Sequence, residues 1–368
     1  MTISVLQENL HAALQAVYKA VPSNPQLPIL SSLCLNVTEQ EMTLSATDLY
    51  LGITSAVPVK ASEEIKKTVP AKVFFDIVHS LPAGKLELDL DESSLTIHSA
   101  NSDTKIALAS ADEYPEFPEI QGQSLTFTRQ QLEQITEWVA YSASTDQARL
   151  VLTSVSFAPR GETLEIVATD GFRLSLYSLK TEHSLTEPLL LGAKAIIEIV
   201  RIAKQLDQEQ VEIMYSAADK QAVVKIGSTH IFIRLIEGDY PPYEKIMPAT
   251  ASITAAFEAS EFVSQVKRAL VVARDVSNIV TLEFTPEEMK ILAQSSVSGT
   301  YQGTMPVISF TGEPITIAFN ASYLLDYISH VKPHNVTLEM TEPLKPAVFK
   351  DADKPDLSYL VMPFRTNS

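Results

Sequence analysis

Asp48 and Asp170 are the first side chains to weigh as chemistry. Each closes an Ala-Thr-Asp triplet, in "SATDLYL" (45–51) and "VATDGFRL" (167–174), and the two lie 122 residues apart. A carboxylate can act as base, nucleophile or metal ligand, but each role needs a partner group in the same constellation. Neither aspartate has a base, nucleophile or metal set beside it. The seven histidines are scattered; His330 and His334 stand four apart, with Pro333 breaking helical continuity between them. Cys34 is the single cysteine, which excludes a thiolate zinc cluster and an internal disulfide and fits a reducing, cytoplasmic setting. No phosphate-cradling glycine loop, H-E-x-x-H pair or G-x-S-x-G elbow occurs. These residues point away from an enzyme and call for no metal or cofactor. The plain reading of each triplet is a strand-end turn whose Asp accepts backbone N–H groups.

Two further segments have no obvious core role. In "TDGFRL" (169–174), Gly171 permits a tight turn that projects Phe172 and Arg173. A simple hairpin turn explains it equally well. The C-terminal "YLVMPFR" (359–365) is apolar where chain ends usually fray. It reads either as a last strand or as an apolar surface for a peptide partner, with Met adaptable and Phe an anchor.

The elements that position these residues recur. Residues 69–79, "VPAKVFFDIVH", and 191–201, "LGAKAIIEIVR", share Ala-Lys, an acid and Ile-Val, their acids Asp76 and Glu198 again 122 apart. "FNASYLLDYI" (319–328), with Asp326, is a third version. Ahead of the triplets, 8–20, 129–141 and 260–272 carry apolar residues at three- and four-residue spacing, as buried helix faces do. Alternating strands follow each first helix, as in "MTLSATD" and "TLEIVATD", and a hairpin follows each second helix, as in "KLELDLDESSLTIHS". The fold class is therefore α+β, in three tandem repeats of helix, strands, helix, strands. Their bounds are 1–120, 125–248 and 250–368. Tyr-Pro runs, "YPEFPEI" and "YPPY", close the first two units as one recurring element.

The chain has 368 residues, 45% hydrophobic and 20% charged, which suits two or three globular domains. The N-terminal residues show no secretory leader and no apolar run spans a membrane. The net charge of −17 argues against a protein that coats nucleic acid or an anionic membrane, though it says nothing of local charge.

Three tandem units, "LPIL" (27–30), "VPAKVFFDI" (69–77), "TDGFRL", "FNASYLLD" (319–326) and a terminal "VMPFR" together resemble the bacterial beta sliding clamp, the processivity subunit of DNA polymerase III. The resemblance spans the whole chain. It implies a homodimeric ring of six similar domains, helices lining the hole and antiparallel sheets outside. Such a ring encircles double-stranded DNA without sequence specificity and tethers polymerase, clamp loader and repair factors through short linear motifs. Tethering raises effective concentration without tight contact.

The family's partner pocket carries over to Arg149, Leu152, Thr169, Gly171, Phe172, Arg173 and Leu174 of the second unit. Pro241, Lys245 and Ile246 join from its closing segment, and Asn320, Tyr323, Leu344 and Pro346 from the third unit. Leu360, Val361, Met362, Pro363, Phe364 and Arg365 complete it from the tail. The implied ligand is a Gln-Leu-x-Leu-Phe type peptide. DNA-facing positions are Asn24, Lys72, Lys194, Arg201, Lys204 and Lys267, with Lys19, Arg268 and Lys332 near the same helices. The dimer contact falls on Lys105, Ile106 and Leu108 on one side and Val271 and Val272 on the other. Asn24 replaces a family arginine, Leu150 and Val151 replace tyrosines, and Ser277 stands at an aromatic position. Thr366-Asn367-Ser368 extend past the usual end. Two other readings stand beside this one: a peptide-binding scaffold of the same fold without a DNA role, and an enzyme using Asp48 or Asp170.

Overall fold

The computed structural model describes residues 1–100 and 102–365; Thr366-Asn367-Ser368 lie outside the described residues. Six α-helices appear among them, all at positions expected from the spacing: α1 Gln7–Val17, α2 Ala71–Ser80, α3 Arg129–Trp138, α4 Ala193–Gln205, α5 Ala259–Ala273 and α6 Ala321–Val331. α1 buries Leu10, Ala13, Leu14 and Val17, and α5 buries Phe262, Val266, Ala269 and Ala273. The 3.6-residue period sets both faces. Helical geometry ends sooner than the spacing suggests in two places. Tyr18–Ala20 tightens to a 3-10 turn after α1, and Ala140–Ser142 does so after α3, where Val139 takes φ −123°. None of these helices is long and apolar enough to cross a membrane.

The chain divides into two compact units that do not follow the repeats. The first comprises Met1–Gln131 and Lys194–Leu235; the second comprises Leu132–Ala193 and the described residues from Ile236 on. The sheets explain the division.

In the first unit, one sheet has nine strands, in the order Gln123–Thr128, Gln210–Ser216, Gln221–Ile226, Thr229–Arg234, Leu51–Pro58, Glu41–Thr47, Ser32–Val37, Ile65–Pro70 and Ala109–Ser110. Thr229–Arg234 of the second repeat pairs antiparallel with Leu51–Pro58 of the first, Ile233 opposite Leu51. This is the first junction. A separate four-stranded sheet runs Thr2–Leu6, Lys85–Leu90, Ser94–His98, Asp103–Ala107, the last at an open edge. Helix α1 packs on α2.

In the second unit, the nine-stranded sheet runs Leu189–Gly192, Ser154–Arg160, Thr163–Thr169, Arg173–Lys180, Leu357–Val361, Ala347–Lys350, Asn335–Met340, Ile253–Glu258 and Ser309–Thr311. Arg173–Lys180 of the second repeat pairs with Leu357–Val361 of the third, Arg173 opposite Val361. This is the second junction. Its four-stranded sheet runs Gly299–Pro306, Glu288–Ser295, Ile279–Phe284, Ile315–Asn320, with Gly299–Pro306 at an open edge. Helix α5 packs on α6.

Alternation sets the buried face of each strand, as in Thr2–Leu6 with Ile3 and Val5 inward. The Tyr-Pro closures are one element in both units. The Tyr114 hydroxyl donates to the Ser45 carbonyl at 3.2 Å, and the Tyr240 hydroxyl to the Val167 carbonyl at 3.3 Å. Ser45 and Val167 each precede the aspartate of a triplet by three residues.

Candidate functional site

Strand Thr163–Thr169 ends in the turn that Asp170 builds. Its Oδ1 accepts the N–H groups of Phe172 at 2.9 Å and Arg173 at 3.0 Å. The Thr169 hydroxyl accepts from Gly171 N at 3.0 Å and donates to the Arg173 carbonyl at 2.6 Å. Gly171 takes φ +94°, a region that costs an L side chain. The turn lifts Phe172 outward, 56% exposed.

Arg173 goes the other way. Its side chain is 11% exposed and ion-paired to Asp170, Nε to Oδ2 at 3.1 Å, and to Asp326 of α6. It also donates to the Tyr141 carbonyl at 3.0 Å. The guanidinium lies over the rings of Tyr323, at 4.9 Å, and Tyr141, at 5.5 Å. Burial works against its charge, but Tyr359, Asp326 and Asp170 outweigh that and hold its pKa above the ordinary arginine value. Arg149 adds a second tie, donating to the Asp170 carbonyl at 3.0 Å and to Asp146 at 3.2 Å.

Beneath the turn lies a buried cluster of Val167, Leu174, Tyr243, Val348 and Leu360, with Leu176, Tyr240 and Met247 packed against it. Leu174, Leu360 and Val361 are therefore floor, at no more than 1% exposure, and present almost no surface of their own. Other residues expected at the pocket are exposed. Ile246 is 41% exposed, Leu344 54%, Met362 36% and Phe364 48%. Backbone bonds tie the tail down: Met362 N donates to the Phe172 carbonyl at 2.9 Å and Phe364 N to the Ala318 carbonyl at 2.7 Å. The last strand and the apolar surface are thus successive parts of one tail.

Pro241, Pro346 and Pro363 are half-buried, and Lys245 and Arg365 exposed. Asn320 caps α6, its side chain accepting from Ser322 N at 2.9 Å. Leu152 is half-buried in the irregular segment Gln147–Thr153, where Arg149 breaks the helical backbone. Tyr141, Asp326 and Tyr243 are site residues that the sequence reading did not single out as such. The recurring acid offered a signal. Its second copy, Glu198, also holds an arginine, Arg201 Nε at 2.6 Å.

The positions expected to face DNA differ in how their charge is used. Lys72, Lys204 and Lys267 are exposed, as is Asn24. Lys194 pairs with Asp48 at 2.8 Å, and Arg201 with Glu198, so part of their charge is spent locally. Of the expected dimer residues, Lys105 is exposed, while Ile106 and Leu108 are already buried at 5% and 8%. Val271 is 62% exposed and Val272 half-buried.

Family models for the DNA polymerase III beta subunit match throughout. The N-terminal domain matches residues 1–118, the central domain 126–242 and the C-terminal domain 244–365. The chain is 29% identical to a beta sliding clamp of Synechocystis sp., with 99% of each chain covered. It is 27% identical to one of Proteus mirabilis, covering 99% of this chain and 100% of that one. Among solved structures, the DNA polymerase III beta subunit of Thermotoga maritima matches with a TM-score of 0.92 at 25% identity, covering 99% of both chains. The beta chain of Streptococcus pneumoniae matches with 0.91 at 25% identity, covering 99% of this chain and 100% of that one. The chain belongs to the DNA polymerase III beta subunit family, the beta sliding clamps, whose members are processivity factors and not enzymes.

Proposed function

We propose that the second junction is a docking pocket for short linear peptides of the Gln-Leu-x-Leu-Phe type, borne by polymerase, clamp loader and repair factors. The observation that carries this is the pair of exposed apolar side chains Phe172 and Met362, joined by the Met362 N–Phe172 carbonyl bond, on a turn fixed by Arg173, with Phe364, Ile246 and Leu344 also exposed. An apolar surface over a rigid, hydrogen-bonded base suits an anchor residue with little loss of order on binding.

The same reading makes the protein a head-to-tail homodimer that encircles duplex DNA. Internal repetition supports it. At each junction within the chain, the last strand of one four-stranded half-sheet pairs with the first of the next. Asp103–Ala107 and Gly299–Pro306 are the two corresponding strands left at open edges. Pairing one copy's Asp103–Ala107 with another copy's Gly299–Pro306 would repeat the junction and cover both edges, which are otherwise an aggregation liability. Lys72, Lys194, Arg201, Lys204 and Lys267 then supply weak, salt-dependent attraction to phosphates.

Fluorescence anisotropy of a labelled Gln-Leu-x-Leu-Phe peptide against the full chain and a version ending at Leu360 tests the pocket. Binding on the order of micromolar that is lost on truncation is the expected result. An intact protein that ignores the peptide would remove the pocket from the reading. Light scattering tests the dimer independently, expecting twice the 40.4 kDa chain mass.

A further inference from the structure

The first junction has a pocket of its own, and the repeat says what each part of it corresponds to. Arg234 N donates to the Tyr50 carbonyl at 2.8 Å, just as Met362 N does to Phe172 at the second junction. The strand registers then make Leu49 the counterpart of Gly171, Tyr50 of Phe172, Gly52 of Leu174 and Arg234 of Met362. Ile120 follows its Tyr-Pro closure as Ile246 follows the other. All five residues line a cavity of about 350 Å³.

Its floor is aromatic. Gly52 leaves room for Phe117, whose ring carbon lies 2.3 Å from where a Cβ on residue 52 would sit. Phe117 in turn meets Phe232, ring centroids 4.9 Å apart. Apolar side chains remain at the mouth, Tyr50 40% and Leu49 36% exposed. Leu49 also takes φ +75°, where its repeat counterpart is glycine. Leucine has no polar side chain to compensate that geometry, and strain kept at an exposed position is a mark of function.

The charge of the mouth differs from that of the second junction. Arg234 is exposed, and among the described residues no carboxylate lies within ion-pair distance of it. Of the two lining acids, Asp219 accepts the Ser216 hydroxyl at 2.6 Å within its own turn, and Glu116 is exposed at the rim. Lys220 adds a second cation to the lining.

We propose that this cavity is a second docking site, specific for a linear peptide that presents an aromatic side chain beside carboxylates. The volume admits one large side chain and part of its neighbour, at the small end of ligand sites. An aromatic anchor would meet Phe117 and Phe232 edge-on or offset, and a neighbouring carboxylate would take the forked donors of Arg234. The peptide assigned to the second junction has no side-chain carboxylate to pair with Arg234, so the two sites discriminate by charge. The proposal does not depend on the second junction binding anything.

The test is fluorescence anisotropy of the full chain with labelled Glu-Asp-Phe-Asp-Glu, and with Lys-Lys-Phe-Lys-Lys as the charge-reversed probe. The acidic probe should bind with Kd on the order of 100 μM and the basic probe not at all. Arg234→Glu should weaken the acidic probe at least about tenfold and Arg234→Gln several-fold, both exposed changes that leave the core intact. Tyr50→Ala should weaken it as well. Excess unlabelled Gln-Leu-x-Leu-Phe peptide should not displace it. No binding up to about 1 mM, equal binding by Arg234→Glu, or displacement by the neutral peptide would each overturn the proposal.

Discussion

The two junctions share one frame and load it differently. In each, a Thr-Asp pair closes a strand and the aspartate Oδ1 accepts two successive N–H groups: Tyr50 and Leu51 from Asp48, Phe172 and Arg173 from Asp170. The second oxygen decides the character of the site. Asp48 Oδ2 reaches Lys194, which is 54% exposed, whereas Asp170 Oδ2 holds Arg173 at 11%. A solvated lysine leaves the first turn a surface strap. A half-buried, forked arginine, tied also to Asp326 and Tyr141, makes the second a rigid platform under Phe172. Duplication thus preserved the backbone bonds and freed the side chains around them to diverge.

Removing the two cations should separate the junctions most sharply. Arg173→Ala leaves the half-buried Asp170 without its cation, though with its two backbone donors, and should cost about 2–3 kcal/mol in urea unfolding, less than a fully buried pair. Lys194→Ala breaks a half-exposed pair and should cost less than about 1 kcal/mol. Equal losses would erase the distinction between platform and strap. Next in size is binding. Phe172→Ala should weaken the Gln-Leu-x-Leu-Phe peptide at least about tenfold, roughly 1.4 kcal/mol, and Tyr50→Ala by less than about twofold.

Backbone strain gives a smaller contrast. Gly171→Ala should destabilise by about 1 kcal/mol, since φ +94° disfavours any Cβ. Leu49→Gly relieves the same kind of strain but loosens the unfolded chain, so the change should stay within about 0.5 kcal/mol. A large loss in Leu49→Gly would mean that the leucine side chain stabilises its turn.

The smallest effect is one of pH. His330 stacks on Tyr141, ring centroids 4.2 Å apart, and burial holds its pKa below the usual 6.5, with Arg173 and Lys332 helping against Asp326 and Glu137. The unfolded chain therefore takes up this proton first. Stability from neutral His330 is complete above 6.5 and declines as pH falls below it toward the depressed folded value. His330→Gln should lose less Tm between pH 7 and 5.5 than the parent chain. Matching losses in both would show that His330 does not sense acid.

Much of the architecture could be read before any coordinates. Leu10, Leu14 and Val17, or Phe262, Val266 and Ala269, place a helix face from spacing alone, because a helix neighbour is only three or four residues away. The triplet turns were legible for the same reason, as Asp170 bonds residues two and three places on. The projection of Phe172 and an apolar tail surface could be read from the residues, but Ile246 and Leu344 were singled out only through resemblance, and nothing local separates exposed Met362 from buried Leu360.

Local order thus came from the chain itself: the helices, the alternation of the strands, the capped turns and their threefold recurrence all rest on interactions a few residues long. Folding in three dimensions decided the rest. It chose which repeat's strand joins which, drew Tyr141 and Asp326 onto Arg173 from 32 and 153 residues away, and set Phe117 over Gly52. Those outcomes depend on which edges meet and what each side chain finds opposite it. Many edges along the chain look chemically alike, and only packing all of them at once selects among the pairings.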